Sequence, residues 1–386
     1  MQYLLRIAGR ETGRIFSGKI YWFCMFFVPL FSCLFFLSLM HKGLPIALPI
    51  AITDMDNTSA SRSLVRQLDL LEGLHVTATY NNFNEAQTEM QKGNIYGIFL
   101  IPRDFAQKTV SAKQPVLSFY TNNSYLIAGS LVFKDMKTAA TLAAASVALQ
   151  TGKARGYTDQ QVMASIQPIV IEAHPIGNPW LNYSVYLNNV ILPGILALMV
   201  MCTTVYSIGI EIKEKTVWEW LRNEQSSILP SLAGKLLPQT ILFLLVGLLL
   251  YAVLYVVMQF PINGNIGSML VALFLLITAS QAMGVFMIGC LPTLRLGLSF
   301  ACLFGMIAFS ISGFSFPVNA MYPQIQAVSN VFPLRHYFLI YADQALNGRA
   351  LFYSWPHYIA LLGFGFLPVL TLRNLSWSLK YAPYKP

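Results

Sequence analysis

Six long apolar stretches constrain this chain more than any other feature of its sequence. They lie at about residues 20–40, 190–210, 239–260, 266–289, 297–316 and 356–372. A helix needs about 20 apolar residues, at a rise of about 1.5 Å each, to cross the roughly 30 Å hydrocarbon core of a bilayer. Hydrophobic residues make up 55% of the 386-residue chain and charged residues 11%. The sequence therefore predicts an α-helical polytopic membrane protein with six spans, and it excludes a water-soluble enzyme.

The first apolar stretch could be mistaken for a secretory signal, because basic residues precede it. Those residues are Arg6, Arg10, Arg14 and Lys19. The apolar run is about twice as long as the core of a usual signal peptide, it contains Trp22 and several phenylalanines, and no small-residue cleavage site follows it. We therefore interpret residues 20–40 as an uncleaved first span.

Lysine and arginine concentrate in alternate segments between the spans, and this asymmetry indicates the orientation of the chain. On the predicted cytoplasmic side they are Arg6, Arg10, Arg14, Lys19, Lys213, Lys215, Arg222, Lys235, Arg295, Arg373, Lys380 and Lys385. The short segments of the other side carry Arg335 and Arg349. We expect both termini in the cytoplasm and the long segment 41–183 outside it. The net charge of +9 then reflects membrane topology, and we predict no nucleic-acid partner.

Residues 1–19 have the pattern of an amphipathic helix. One side carries Arg6, Arg10 and Arg14, and another carries Leu4, Ile7, Ala8 and Ile15. Such a helix lies in the headgroup layer with its basic face toward anionic lipid, and we predict this arrangement. The alternative is a frayed basic tail that only follows the topology rule.

The polar segment 41–183 alternates short strands with helices, which predicts a small α/β domain inserted between the first two spans. Its predicted strands are 48–52, 74–80, 95–101 and 116–121, and its predicted helices begin near Thr58 or Ser59, Glu85, Tyr125 and Thr158. Thr158 and Gln161 have the spacing of a capping box. The lysine and arginine asymmetry of the short segments predicts that this domain lies outside the cytoplasm.

Two features of the chain could suggest a metal or redox centre. Residues 54–57 (Asp-Met-Asp-Asn) resemble an acidic cation loop, but further ligands do not follow, and the same residues are common at strand-to-helix turns. The cysteines all fall in apolar runs without a paired spacing: Cys24, Cys33, Cys202, Cys290 and Cys302. The turn interpretation is favoured for the loop, and no metal site is predicted.

Catalytic motifs are not evident. Residues 13–20 fit a G-x4-G-K frame, but Ile20 stands where a phosphate loop needs Ser or Thr, and no strand precedes the frame. The apolar stretches are nearly free of ionisable residues, whereas an ion-driven carrier needs such groups within its spans. The energy for any transport is therefore expected to come from outside this chain, which itself is not predicted to be an enzyme.

The segment 211–222 offers a place where that energy could enter. It is dense in charge and interleaves Trp218, Trp220 and Leu221. A short helix with aromatic anchors and a charged rim is suited to a groove on a soluble partner. An equally open alternative is a juxtamembrane helix whose tryptophans sit at the lipid interface.

Two stretches resemble the permease subunits of ABC-2 type ABC exporters. The first contains Glu211, Lys213, Thr216, Trp220, Leu221, Gly234, Lys235 and Pro238, and the second contains Gly313, Phe316, Pro317, Met321, Pro323, Ser329, Pro333 and Tyr337. The order of a basic start, one span, a large outer domain and five more spans in 184–386 is similar over nearly the whole chain. Two positions depart from the family pattern, because Lys215 stands in place of glycine and Lys213 in place of an acidic residue.

The resemblance implies that the loop 211–235 docks on a separate ATPase. The implied coupling residues are Glu211, Lys213, Thr216, Trp218, Trp220, Leu221, Gly234 and Lys235. It further implies a half-transporter in the bacterial inner membrane that pairs with a second permease, identical or a sister chain, and with two soluble ATPases. Those ATPases bind ATP and magnesium, and this chain binds no cofactor. The resemblance also implies that the outer domain works with a periplasmic adaptor and an outer-membrane duct, because it is similar to domains of this subgroup that do so.

The proline-rich segment 313–355 resembles the family's outer re-entrant hairpin. Prolines oppose a continuous helix, and irregular backbone at membrane depth survives only where protein or water satisfies it. The implied gate residues are Gly313, Phe316, Pro317, Pro323, Pro333 and Tyr337, and the implied path residues are Asn188, Asn189 and Ser312. A simple proline-rich outer loop is the alternative.

A second function stays open at this point. The chain could be a membrane-anchored receptor or secretion accessory whose outer domain binds a partner, although six spans exceed what anchoring needs. The sequence leaves the substrate open, because the aromatic and Met-rich spans that suit an apolar cargo also suit lipid.

Overall fold

A computed structural model describes residues 2–111, 113–220 and 228–381. The helices are α1 (Gln2–Ser17), α2 (Lys19–Trp22), α3 (Val28–Leu39), α4 (Ser59–Asp69), α5 (Phe83–Gln91), α6 (Phe105–Val110), α7 (Leu126–Ala154), α8 (Asp159–Ile166), α9 (Tyr183–Glu214), α10 (Val217–Trp220), α11 (Ile228–Tyr251), α12 (Ile266–Cys290), α13 (Leu294–Ile311), α14 (Pro323–Ser329), α15 (Pro333–Tyr341), α16 (Leu351–Phe364) and α17 (Leu367–Tyr381). The strands are β1 (Leu48–Asp54), β2 (Leu74–Tyr80), β3 (Gly97–Ile101) and β4 (Ser118–Thr121). Leu44–His174 forms one compact unit, and the described residues on both sides of it form a second.

Among its described residues, the second unit contains six helical segments that are long and apolar enough to cross a membrane. They are Lys19–Leu39, Tyr183–Glu214, Ile228–Val257, Ile266–Cys290, Leu294–Ile311 and Leu351–Tyr381. This confirms the predicted fold class, a polytopic α-helical membrane protein with an inserted sheet domain.

Several spans are longer than their apolar stretches. α9 starts at Tyr183 rather than near residue 190, because the Asn182 side chain accepts hydrogen bonds from the backbone N–H groups of Ser184 and Val185, at 2.9 and 3.2 Å. It continues to Glu214, beyond the last apolar residue. A helix continues through polar residues wherever its backbone hydrogen bonds and caps are satisfied. A hydropathy pattern shows only the apolar part of such a helix.

The helical unit has a clear centre. α9 and α12 bury most of their spans, whereas the first span, α11, α13 and α16–α17 expose most of theirs. The shared core contains Val200, Val205, Leu276 and Met287, all of them fully buried. α9 and α12 therefore form the centre of this unit, and both contact α11, α13 and α15.

The Leu44–His174 unit is a four-stranded sheet covered by helices on both faces. The strand order is β2-β1-β3-β4, with β1 parallel to β2 and β3, and β4 antiparallel to β3. Because side chains alternate along a strand, Ile50 and Ile52 pack with α4 and α7, whereas Ala51 packs with α5. The predicted α/β organisation is confirmed. The predicted domain 41–183 contains this unit, and its first three and last nine residues belong to the helical unit.

The acidic loop after β1 is a hydrogen-bonded turn. Asp54 accepts from the backbone N–H groups of Asp56 and Asn57, at 3.0 and 3.1 Å, and from the Ser61 hydroxyl at 2.7 Å. Thr58 caps α4. These carboxylate lone pairs are already used within the turn, which supports the turn interpretation over the cation loop. The residues that the structure describes contain no cluster of three or more metal-ligating His, Cys, Asp or Glu side chains.

Candidate functional site

A buried group of charged side chains joins α1 to one end of the helical bundle. We call Arg10, Glu11, Arg14, Glu211 and Lys235 the ion network. Lys235 Nζ lies 2.6 Å from Glu11 Oε2 and 2.9 Å from Glu211 Oε1. Glu211 is fully buried, and Glu11 and Lys235 are each 1% exposed. Charges at this depth are tolerated only when they are paired, so the network fixes α1 against α9 and α11.

The two arginines of α1 complete the coordination of Glu211. Arg10 donates from both terminal nitrogens to the Glu211 carboxylate, at 2.9 and 3.1 Å. Arg14 also donates to Glu211. Although partial burial lowers the pKa of Arg10, its hydrogen bonds with Glu211 and the attraction of that carboxylate outweigh burial and raise the pKa above its usual value. Arg10 therefore stays charged.

This arrangement corrects the expectation that the basic face of α1 is turned toward lipid. Arg10 and Arg14 face the Glu211 carboxylate instead, with about a quarter of each side chain exposed. The pattern within residues 1–19 contains no sign of a carboxylate 201 residues away. The apolar stretches 190–210 and 239–260 contain no Asp, Glu, Lys, Arg or His, and Glu211 and Lys235 lie just outside them, where α9 and α11 extend beyond the apolar residues.

A tight turn after α9 positions the next part of the site. Lys215 has φ of 56°, in the left-handed region, and Thr216 N–H donates to the Glu211 carbonyl oxygen at 3.1 Å. The Thr216 hydroxyl also donates a hydrogen bond to the Glu211 carboxylate. A left-handed residue at the end of a helix is usually glycine, so Lys215 occupies the same conformation that the family's glycine suits.

The short helix α10 begins directly after this turn and has one buried and one exposed side. Val217 and Trp220 are buried, and the Trp220 ring NH donates to the Ser231 carbonyl oxygen at 3.2 Å. Trp218 is 59% exposed. Glu219 is also exposed and accepts from Arg10 at 3.1 Å. Leu221 lies outside the described residues.

The exposed side of α10 borders an open cavity of about 610 Å³. It is lined by Arg6, Ile7, Arg10, Trp218 and Glu219. Arg10 thus contacts the buried Glu211 and borders this cavity as well. The cavity can take a side chain of a partner, and the ion network lies directly behind it.

The start of α11 closes the site. A Cβ at Gly234 would lie 3.2 Å from the Leu4 carbonyl oxygen and from Ile7 Cβ, so a larger residue would press α11 away from α1. Lys235 Nζ lies 5.1 Å from the centre of the Trp220 ring. Gln239 donates to Glu11 at 2.9 Å. Thus Gly234 and Lys235 hold α1, α10 and α11 together and present no exposed surface.

At the other predicted site, the segment 313–355 consists of short helices that begin at prolines. Pro317 precedes a single helical turn, and Pro323 and Pro333 are the first residues of α14 and α15. Gly313 turns the chain out of α13 with φ of 104°. Proline suits the first position of a helix because its missing N–H has no helical partner there. The prolines therefore divide the segment and also start its helices.

The two aromatic residues predicted for a gate are in different environments. Tyr337 is fully buried, and its hydroxyl lies 2.7 Å from that of Tyr251 in α11. Phe316 is 52% exposed. Tyr337 joins α15 to the bundle, so Phe316 is the one of the pair that is free to contact other molecules.

The predicted path residues lie inside the helix packing. Asn189 accepts from the Tyr255 hydroxyl at 2.7 Å, and Asn188 donates to the Ser184 hydroxyl at 2.9 Å. The Asn188 Oδ1 atom is buried and has no hydrogen-bond partner among the described residues. Ser312 donates to the Ala308 carbonyl oxygen. These polar groups line no open channel within the described part of a single copy of the chain.

Residues 19–372 match the family described as ABC-2 family transporter protein. This chain belongs to that family. A relative is the linearmycin resistance permease protein LnrN of Bacillus subtilis (strain 168), which is 31% identical over 121 residues. That match spans 31% of the present chain and 30% of the relative, so less than a third of either is aligned. The chain is therefore a membrane-embedded permease of that family.

Sequence reasoning missed the part of the permease site that α1 supplies. The sequence pattern predicts that Arg10 and Arg14 face lipid, and it indicates no role for Glu11 or Gln239. One signal was present in the sequence. Glu11 is an acidic residue within a basic amphipathic helix, and Lys235 is a cation within an apolar run. Burying either charge alone is energetically unfavourable, and burying both becomes possible because they form an ion pair.

Proposed function

We propose that this permease is the membrane subunit of an ATP-driven exporter and that a separate ATPase drives it through α10. The observation that carries the proposal is the position of Arg10. It contacts the exposed Glu219 of α10 and the buried Glu211 of α9 at once. A displacement of α10 by a partner is therefore passed to α9, one of the two central helices of the bundle.

The exposed and buried parts of this site have separate roles in the proposal. Trp218 and Glu219, with the cavity beside them, receive the ATPase, because exposed aromatic residues are common anchors of protein interfaces. Glu211, Trp220 and Lys235 are buried and act by holding α1, α10 and α11 to α9. Lys213 is exposed in the last turn of α9 and can contact the partner as well.

The remaining parts of the assembly are proposed from the family and from the charge asymmetry. Two permease copies, identical or of sister type, form the path, and two ATPases carry ATP and magnesium. Both termini and α10 face the cytoplasm across the inner membrane, and Leu44–His174 lies outside. A periplasmic adaptor and an outer-membrane duct receive the cargo. The name of the Bacillus relative, a resistance permease, supports export of a compound that harms the cell.

The proposal is tested by removing the exposed anchor. Trp218→Ala should reduce the amount of ABC ATPase that copurifies with the full-length permease from host membranes by at least five-fold, as quantified by mass spectrometry. Trp355→Ala is the matched control, because Trp355 is also 59% exposed but lies in α16. Both variants should insert in the membrane at wild-type levels.

Equal recovery of the ATPase with both variants would contradict the role of α10. Absence of any ABC ATPase from the wild-type preparation would favour the receptor or secretion-accessory interpretation. Loss of the ATPase with Trp355→Ala as well would show a general effect of removing surface tryptophan, and it would also count against the proposal.

A further inference from the structure

The Leu44–His174 unit contains a cavity of about 930 Å³ that the transport function does not use. It lies between the C-terminal third of α7, the helices α6 and α8, and the segment 113–117 before β4. Pockets for small organic ligands have volumes of about 300–1,000 Å³ and apolar walls with few polar groups. The size of this cavity lies within that range.

Small side chains on one face of α7 create the space. Ala144, Val147, Ala148 and Thr151 follow helical spacing along this face and line the cavity. From residue 143 to 152 the helix supplies a trough about 14 Å long. The trough can hold part of an extended acyl chain or a comparable apolar body.

Close packing holds the trough open at its end. A Cβ at Gly152 would lie 2.2 Å from Val162 Cγ2, so α8 can sit directly on α7 only because residue 152 is glycine. Thr158 and Gln161 cap α8 with a capping box. Phe105 of α6 and Leu117 form the opposite apolar wall. The cavity is thus bordered by α6, α7, α8 and the segment 113–117.

The rim of the cavity carries positive charge. Lys113 and Arg155 line it, and no acidic residue is among its described lining residues. Neither cation forms an ion pair with an acidic side chain in the described parts of the chain, whereas neighbouring Lys153 pairs with Asp159 at 3.1 Å. Two unneutralised cations at the mouth of an apolar trough favour a ligand with an anionic head.

We propose that this cavity binds an amphipathic organic anion, with its apolar body along α7 and its head group between Lys113 and Arg155. A free fatty acid and the acyl chain and head of an anionic membrane lipid share this chemistry. The site is separate from the ion network, and the proposal does not depend on coupling to an ATPase.

The test uses the full-length permease in nanodiscs of neutral phosphatidylcholine and a palmitate that carries a photoactivatable diazirine. Crosslinked peptides are mapped by mass spectrometry. We expect labelling of α7 and α8 within residues 143–166. Unlabelled palmitate should reduce it at least ten-fold, and methyl palmitate, which lacks the charge, should not. Nanodiscs that contain phosphatidylglycerol distinguish the lipid source, because they reduce labelling only if a membrane lipid reaches the site.

Variants separate the apolar and the charged parts of the site. Ala148→Phe should fill the trough and reduce labelling at least ten-fold, whereas Ala164→Phe, on the exposed side of α8 and away from the cavity, should not. Lys113→Ala combined with Arg155→Ala should weaken palmitate competition at least ten-fold. Lys153→Ala is the matched control.

Three results would overturn the proposal. One is labelling confined to the membrane spans. Another is equal competition by palmitate and methyl palmitate, which would remove the role of the cations. The third is unchanged labelling in Ala148→Phe. If Ala148→Phe fails to fold, Ala144→Phe, at an exposed lining position, provides the same measurement.

Discussion

Single residues of the ion network carry more of the structure than their place in the sequence suggests. Lys235 is one residue within a long apolar run, yet it neutralises two carboxylates on two other helices. Removing one member of a buried ion pair leaves an uncompensated charge, at a cost of about 3–5 kcal/mol, whereas an exposed pair contributes about 0–1 kcal/mol. The ion network therefore stabilises the packing of α1 against α9 and α11.

We expect Lys235→Met to lower the stability of the permease by about 3–5 kcal/mol, because Glu11 would lose its cation and Glu211 one of its three. Thermal unfolding of the detergent-solubilised protein, followed by size-exclusion chromatography, measures this. Glu219→Gln is the control and should leave the unfolding temperature close to wild type, since Glu219 is 68% exposed. A similar small effect of both substitutions would show that the network does not hold α1.

Lys215 gives the opposite kind of prediction. Its φ of 56° is unfavourable for a side chain with Cβ, so Lys215→Gly should stabilise the permease by about 0.5–1 kcal/mol. Lys213→Gly, two residues earlier and within α9, should destabilise it by about 1 kcal/mol. The same unfolding assay compares them. If both substitutions shift the unfolding temperature in the same direction, the left-handed conformation of Lys215 does not explain the effect of Lys215→Gly.

At the scale of elements, α15 is held to the bundle by side chains buried on both sides of the helix. Tyr337 meets Tyr251, and Tyr341 donates to the Val185 carbonyl oxygen at 3.1 Å. His336 is 6% exposed and lies 3.0 Å, through Nε2, from the Asn330 carbonyl oxygen. The segment 313–355 is therefore a packed cap on the bundle, and a motion of α15 has to break these contacts.

Burial lowers the pKa of His336 below its usual value, and the neighbouring His357 and Arg335 add to this effect, whereas the hydrogen bond that its ring donates to the Asn330 carbonyl oxygen opposes it. The unfolded chain therefore binds this proton at a higher pH than the folded chain does. Stability should be greatest above pH about 6.5, and it should fall as the pH drops from 6.5 toward the lowered pKa.

His336→Gln should flatten that dependence, and His41→Gln, at an exposed position outside α15, is the control. Unfolding temperatures between pH 5 and 8 provide the measurement. A wild-type slope that survives in His336→Gln would assign the proton to another group.

At the scale of the whole molecule, the chain separates into a helical unit and an α/β unit, and the orientation of the two is a prediction from charge asymmetry. We expect a cysteine at Gln91, exposed at the end of α5, to react with an impermeant thiol reagent in intact spheroplasts of a variant without native cysteines. Lys215→Cys, also exposed, should react only after lysis. The reverse pattern would invert the topology.

The sequence allowed prediction of the six spans and the strand-helix alternation, because both are periodic patterns of apolar residues. The buried side of α10 was also predictable from the sequence, since Val217 and Trp220 are three residues apart and share a helix face. The pairing of Arg10 with Glu211 was not, because the two are 201 residues apart and no local pattern relates them. Likewise, the sequence around Tyr337 does not show that this residue is buried, because its partner Tyr251 lies in the distant helix α11.

The same separation along the chain has a consequence for how the permease is made. Glu11 leaves the ribosome 224 residues before Lys235, which is about 10 to 45 s at ordinary rates of translation. During that interval the carboxylate has to stay in water, so α1 cannot take its final place when the first span inserts. It docks only once α11 has been synthesised. A chain that stops before Lys235 would therefore keep α1 undocked.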